Sequence, residues 1–368
     1  MSETIEAENL RRMRKELMTC TYCGFCKSVC PTFQRVGWDP SVARGRMVLA
    51  YGLLQKEVPA DPSVLEYLYQ CTTCKDCERR CPSKISVVDV VESARRDLVA
   101  AGHILPRHRA LADKVAATGN PYGERRGVPE TLGLEPRKAK VGYFVGCTAA
   151  YRDRALADAT LSILRKVGED FTVIDENCCG SVLQRIGIAE EEVERLWMRN
   201  VESIRALGVE RVVFSCAGCY RMFKEEYPKK LDLGFEVLHV TEYLAQKDLK
   251  LRPFEGTITY HDPCHLTRGA GMFKEPRDLL ERVPGTQLMN PDPQGSGCCG
   301  FGGGVRLNYP TESIKASCLE HEQVASEGGD IIITNCAGCR QNLIEGRPAD
   351  GPMVYDLAEY MLLSLGEG

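Results

Sequence analysis

Apolar positions recur at helical spacing in the first third of the chain and in short strand-like runs after it. Residues 41–55 (SVARGRMVLAYGLLQ) place apolar side chains at intervals of three and four, and residues 62–68 continue in the same way. Residues 87–101 predict an amphipathic helix with Asp89, Glu92 and Asp97 on its polar face. Arg44 and Arg46 read as the solvated face of the helix before it. Between residues 103 and 140 the pattern breaks up among Pro106, Gly119, Pro121, Gly123 and Pro129, which marks a connector. Beyond it, strand-like runs at 140–145, 171–174 and 211–214, then 257–260 and 331–334, alternate with helical stretches such as 189–207 and 311–325. The pattern predicts a mainly α-helical N-terminal domain over 1–118 and a linker over 119–138. Two α/β domains follow, over 139–250 and 251–368.

Composition narrows the function classes. The chain has 368 residues, is 43% hydrophobic and 27% charged, and carries a net charge of -4, so nucleic-acid binding has no electrostatic support. Aromatics at 7% disfavour a base-stacking surface. The N-terminal residues lack the apolar stretch of a signal peptide, and no run of 18 apolar residues predicts a membrane span. The expectation is a cytoplasmic protein that reaches a membrane only through a partner subunit.

Nineteen cysteines change the picture. A disulfide scaffold fits poorly with a long chain and no export signal, so metal ligation is the reading to test. Cys20, Cys23, Cys26 and Cys30-Pro31 form C-x2-C-x2-C-x3-C-P, and Cys71, Cys74, Cys77 and Cys81-Pro82 repeat it 51 residues on. This is the spacing of two-cluster bacterial ferredoxins, in which the fourth cysteine serves the other cluster. The expected ligand sets are Cys20, Cys23, Cys26 and Cys81 for one cubane [4Fe–4S] cluster, and Cys71, Cys74, Cys77 and Cys30 for the second. Zinc needs only four ligands per site and does not explain this run occurring twice.

The second half contains a duplicated cysteine pattern. Cys147 is followed by Cys178-Cys179-Gly180 and Cys216-Ala-Gly-Cys219. Cys264 is followed by Cys298-Cys299-Gly300 and Cys336-Ala-Gly-Cys339. The copies are offset by 117 residues at the first cysteine and 120 at the others. The cysteine groups at 147, 178, 216, 264 and 336 follow predicted strands, where open α/β sheets bind ligands. The residues alone leave a zinc or ordinary cubane site open for these repeats. Cys318 is left over, inside a predicted helix, and reads as a small buried hydrophobe.

On these motifs the repeats resemble CCG cysteine-rich domains. The whole chain resembles the D-type subunit of heterodisulfide reductase, a two-cluster ferredoxin-like module fused to two CCG domains. The resemblance implies two noncubane [4Fe–4S] clusters. Cys147, Cys178, Cys179, Cys216 and Cys219 would hold one; Cys264, Cys298, Cys299, Cys336 and Cys339 would hold the other. It also implies reduction of the coenzyme M–coenzyme B mixed disulfide between those clusters, and a membrane b-type cytochrome as redox partner. Cubanes pass single electrons and a disulfide takes two, so a chain with several clusters can supply them in turn. His261 and His265 flank Cys264 and are candidate catalytic proton donors; hydrogen bonding to cluster sulfur is their other reading.

Gly300 to Gly304 (GFGGG) does not complete a dinucleotide fingerprint and follows a ligand rather than a strand, so it predicts a close backbone approach. The chain is expected to bind no flavin or nicotinamide of its own. Iron–sulfur subunits of flavin-dependent glycolate, lactate and glycerol-3-phosphate dehydrogenases share the layout, and residues 37–46 resemble theirs. The alternative is therefore an electron-transfer subunit with a flavoprotein partner. The two complete CCG motifs lean towards a reductase.

Overall fold

The computed structural model describes residues 4–290 and 297–366. Among these, two compact units form. The first takes the residues up to Asp113 together with Ser181–Val193 and Gly297–Ala316. The second takes Lys114–Gly180, the residues from Glu194 to Asn290, and those from Ser317 onwards.

The first unit is helical, as its periodicity predicts. Its main helices are α1 (Ala43–Leu54), α2 (Pro62–Tyr69), α3 (Val87–Ala100) and α4 (Pro106–Thr118). Asp61 caps α2 by accepting from the backbone N–H groups of Ser63 and Val64 at 2.9 and 3.0 Å, and Pro62 fits the first helical position. Helix α4 lies inside the segment that glycine and proline mark as a connector. Pro106 opens that helix rather than breaking it, because the first turn needs no N–H from it. The polar face expected on α3 is mostly absent. Asp89 is exposed, but Asp97 is buried and accepts from the N–H groups of Asn9 and Leu10 at 2.9 Å each, while Glu92 is buried against Arg185.

The second unit contains two four-stranded parallel sheets. The first copy has β1 (Val141–Phe144), α5 (Cys147–Tyr151), α6 (Arg154–Lys166), β2 (Phe171–Val173), α7 (Glu190–Ala206), β3 (Arg211–Phe214), α8 (Ala217–Arg221) and β4 (Glu236–His239). The second has β5 (Gly256–Tyr260), β6 (Thr286–Leu288), α9 (Pro310–Ser326), β7 (Ile331–Thr334), α10 (Ala337–Glu345), β8 (Met353–Asp356) and α11 (Leu357–Leu365). The strand orders are β2-β1-β3-β4 and β6-β5-β7-β8, the same topology twice. Strands β1 and β7 are buried at every position, as parallel strands covered on both faces must be. Strands β4, β6 and β8 had no clear signal in the hydrophobic pattern. Each has three or four residues with exposed or half-buried positions, so no apolar run sets it apart.

Residues of both sheets and their helices form a single core in this unit, with Tyr143, Val213, Ile258 and Ile333 at its centre. Helix α6 of the first copy packs on α11 of the second. Arg340 also ties the copies, donating to both carboxylate oxygens of Asp153 at 2.6 Å and to Glu359 at 2.7 and 2.8 Å.

Candidate functional site

The two ferredoxin-type loops have the same backbone. Tyr22 and Thr73 occupy equivalent places at φ 53° and 55°, and Gly24 and Lys75 follow at 85° and 62°. A β-branched threonine at positive φ is strained, which fits a loop bent to aim its thiols inward. Cys20, Cys23, Cys26 and Cys81 line one cavity, and Cys30, Cys71, Cys74 and Cys77 line the second; Cys77 also reaches the first. Cys23 is exposed, whereas the four cysteines of the second cavity are buried. Burial pushes the Cys77 thiol well above its ordinary value, and Cys74, Cys71 and Cys30 push it the same way. Four thiolates therefore need positive charge among them. An all-sulfur donor set with no carboxylate suits iron rather than a hard cation.

Two arginines do not behave as a solvated helix face. Arg44 is half-buried and pairs with Asp39. Arg46 is 1% exposed and lines the second cavity. The helical wheel carries the missed signal, since Arg46 falls three residues after Ala43 and four before Ala50, on the apolar stripe.

In the first copy the strand order reverses between β1 and β3, the place where open α/β sheets bind ligands. Cys147 follows β1, Cys216 and Cys219 follow β3, and Cys178-Cys179 follow β2. The sulfurs form a chain of hydrogen bonds. Cys147 and Cys179 donate to Cys178, and Cys219 shares its single S–H between Cys179 and Cys216. Cys336 of the second copy also donates to Cys216 and receives from Cys339. Receiving these bonds holds Cys178 and Cys216 well below the ordinary thiol range, while donating them lifts Cys147, Cys179, Cys219 and Cys336 above it. Gly146 stands at φ +84°, and a Cβ there would lie 3.3 Å from the sulfur of Cys219.

The supports of this cradle carry no cysteine signature, so motif spacing did not find them. Buried Glu176 accepts from the N–H groups of Val145 and Gly146 at 2.8 and 2.6 Å, fixing the turn before Cys147. Asn200 accepts from the Asn177 N–H at 2.7 Å, and Tyr227 donates to the Cys179 carbonyl at 3.2 Å.

The second copy divides its cysteines. Cys264, Cys336 and Cys339 belong to the second unit, and Cys298-Cys299 to the first. Within the second unit, His261 is buried with Nδ1 against Glu320, and Asp262 is held by Arg277 through two bonds of 2.8 Å. His265 is half-buried. Within the first unit, the Cys298 thiol donates to the Thr72 hydroxyl at 3.4 Å. The glycine run makes the expected close approach, and its neighbour is the Cys71 loop: a Cβ at Gly302 would lie 2.7 Å from the Thr72 carbonyl oxygen, and one at Gly303 2.3 Å from that of Cys71. Cys318 is half-buried rather than fully buried as expected, because its thiol reaches the Gly346 carbonyl at 3.4 Å and donates to it.

Comparison with known proteins agrees with this geometry. The 4Fe-4S dicluster domain matches residues 16–85, and the cysteine-rich domain CCG matches 141–224 and 258–344. The D-type subunit of dihydromethanophenazine:CoB–CoM heterodisulfide reductase from Methanosarcina barkeri is 35% identical over 99% of this chain and 98% of its own. The chain belongs to the family of heterodisulfide reductase D-type subunits. It is an iron–sulfur oxidoreductase subunit of that family, with an α-helical cluster-binding region followed by two α/β CCG domains. The EtfAB:quinone oxidoreductase of Syntrophomonas wolfei is 27% identical over 98% of this chain and 60% of its own. Among solved structures, a hypothetical protein from Helicobacter pylori shares the fold alone, with TM-score 0.55 and 11% identity over 89% of this chain and 68% of that one. Its D-type relatives are named as subunits of reductase complexes. Among the described residues, no helix is long and apolar enough to cross a membrane.

Proposed function

We propose that this chain is the disulfide-reducing subunit of a heterodisulfide reductase-type complex, acting on the mixed disulfide of coenzymes M and B. The observation that carries the reading is the sulfur chain from Cys147 to Cys219, complete in the first copy and continued through Cys216 into Cys336 and Cys339 of the second. Two copies of one cysteine pattern suit a substrate that has two sulfurs.

The reaction breaks one S–S bond with two electrons and two protons and releases two thiols. Bound clusters, two cubane and two noncubane, would supply the electrons one at a time. The chain's own residues do the rest. Cys20, Cys23, Cys26 and Cys81 form the exposed entry, beside exposed Tyr22 and Phe25, where a redox partner can approach. The buried set of Cys30, Cys71, Cys74 and Cys77 comes next, and the Thr72–Cys298 hydrogen bond leads from it to a ligand of the second CCG copy. His261, oriented through Nδ1 by Glu320, and His265 are placed next to Cys264 in sequence to deliver the two protons.

The similarity to an EtfAB:quinone oxidoreductase supports a second reading, an electron-transfer subunit beside a flavoprotein. EPR of anaerobically purified, oxidised protein with and without coenzyme M thiol separates the two. A paramagnetic signal that appears only with thiol is expected for the reductase. Reduced-cubane signals indifferent to thiol would turn the assignment to the electron carrier.

A further inference from the structure

Three guanidinium groups are buried in the first unit, one lining the Cys30, Cys71, Cys74 and Cys77 cavity and two bonded to backbone of its wall. Arg46 lines the cavity and is 1% exposed, Arg95 is 0% exposed and Arg35 7%. All their hydrogen bonds go to uncharged acceptors. Arg46 donates to the Tyr67 carbonyl at 2.8 Å and the Thr32 hydroxyl at 3.2 Å. Arg35 donates to the carbonyls of Pro31 and Glu312 at 2.9 Å each, and to that same Thr32 hydroxyl at 3.2 Å. Arg95 donates to the carbonyls of Leu68 and Cys71 at 2.7 and 2.8 Å.

Among the described residues no carboxylate pairs with any of the three. The acids nearest to Arg95 in sequence are both taken: Asp97 by the N–H groups of Asn9 and Leu10 at 2.9 Å, and Glu92 by Arg185 at 2.7 Å. Buried charges are normally paired, and two guanidiniums on one hydroxyl oxygen repel each other. An anion must stand among them: the cavity that Arg46 lines has four thiolates to offer, and Arg35 and Arg95 bond the carbonyls of two residues of its wall, Pro31 and Cys71. The exposed cavity differs: its arginine, Arg44, already has Asp39 as partner.

We propose that Arg46, backed by Arg35 and Arg95, is the counter-charge of the cluster held by Cys30, Cys71, Cys74 and Cys77, and holds its reduction potential above that of the exposed cluster. This rests on the iron–sulfur reading of both cavities. Reduction adds one electron to an anionic group and breaks no bond. An unneutralised cation beside it therefore favours the reduced form, and the low local dielectric strengthens the effect. Burial alone would lower the potential; the three cations reverse that order. The first electron to enter comes to rest at the buried centre, next to Thr72 and Cys298.

The test is an EPR-monitored redox titration of the intact protein with dithionite as electron donor. Wild type is expected to show two separate cubane midpoints. Arg46→Gln should lower the upper one by at least tenfold in its reduction equilibrium, about 59 mV for one electron, and move the lower one less. Arg46→Lys, which keeps the charge, should stay near wild type. An unmoved upper midpoint in Arg46→Gln, or an equal displacement in Arg46→Lys, overturns the proposal. Should Arg46→Gln not fold, Cys23→Ser decides: perturbation of the lower-potential signal supports the assignment, and perturbation of the upper one overturns it. Wild type without two cubane signals would instead overturn the iron–sulfur reading beneath it.

Discussion

His108, on α4, shows what one buried side chain contributes. Its Nε2 donates to the Gly304 carbonyl at 3.0 Å, and among the described residues its Nδ1 has no hydrogen-bond partner. Protonation would bury an unsatisfied charged N–H, so burial pushes the imidazole down to about 4. The native state holds the neutral ring, whereas the unfolded chain titrates near 6.5. The contribution is complete above about pH 6.5 and is lost as pH falls towards 4, by up to about 1.4 kcal/mol per pH unit. His108→Gln keeps the donor to Gly304 and removes the titration. Between pH 6.5 and 5 the melting midpoint of the loaded protein should fall less in this variant than in wild type; equal slopes would refute the assignment. Neither His108 nor Arg46 stood out in the sequence by chemistry. Both are polar side chains on apolar helix faces, legible only once their place on the helix is weighed against their charge.

Loop backbone, rather than helix, decides the next level. The cysteine spacing showed both ferredoxin-type loops and both CCG repeats, because ligand geometry constrains sequence at fixed intervals. The glycine run after Cys299 was legible as a close approach, but not its target, since spacing along a chain does not name a neighbour 230 residues away. The clash at Gly303 makes this testable. Gly303→Ala adds a methyl 2.3 Å from the Cys71 carbonyl oxygen at a residue of φ +65°. It should cost roughly 2–4 kcal/mol and perturb the EPR signal of the buried cubane. Gly168→Ala is the control: at φ +69° with nothing within 4 Å, it pays only the backbone term, about 1 kcal/mol. Equal melting midpoints for the two variants would show that the Cys71 contact carries no weight. The short strands β4, β6 and β8 escaped the pattern for the opposite reason: they borrow their stability from the strands beside them.

At the scale of the molecule, duplication is the governing fact. Two copies share one strand order and one cysteine pattern, their sheets share one core in the second unit, and the sulfurs of the first copy run on to Cys336 and Cys339 of the second. Cys178 accepts from two neighbouring thiols at the head of that chain. Cys178→Ser should remove one CCG-type cluster, lower the iron content and leave both cubane signals. Retention of every cluster signal would refute the ligand set. The duplication was visible in the sequence through its cysteines and strand rhythm. The composition of the first unit was not, because Ser181–Val193 and Gly297–Ala316 lie far from it along the chain.

That composition has a consequence for how the protein is made. Arg95 needs carbonyls from Arg185 and Gly303, and His108 needs that of Gly304. A nascent chain that has emerged only as far as Asp113 holds all eight ferredoxin-type cysteines but lacks these partners. Roughly two hundred further residues must leave the ribosome, a delay on the order of 10–40 s at ordinary synthesis rates. Through that interval the thiols stand open to scavenging metals and oxidants. Cluster delivery timed to the end of translation would protect them, and expression at reduced speed would raise the share of protein with wrong metal.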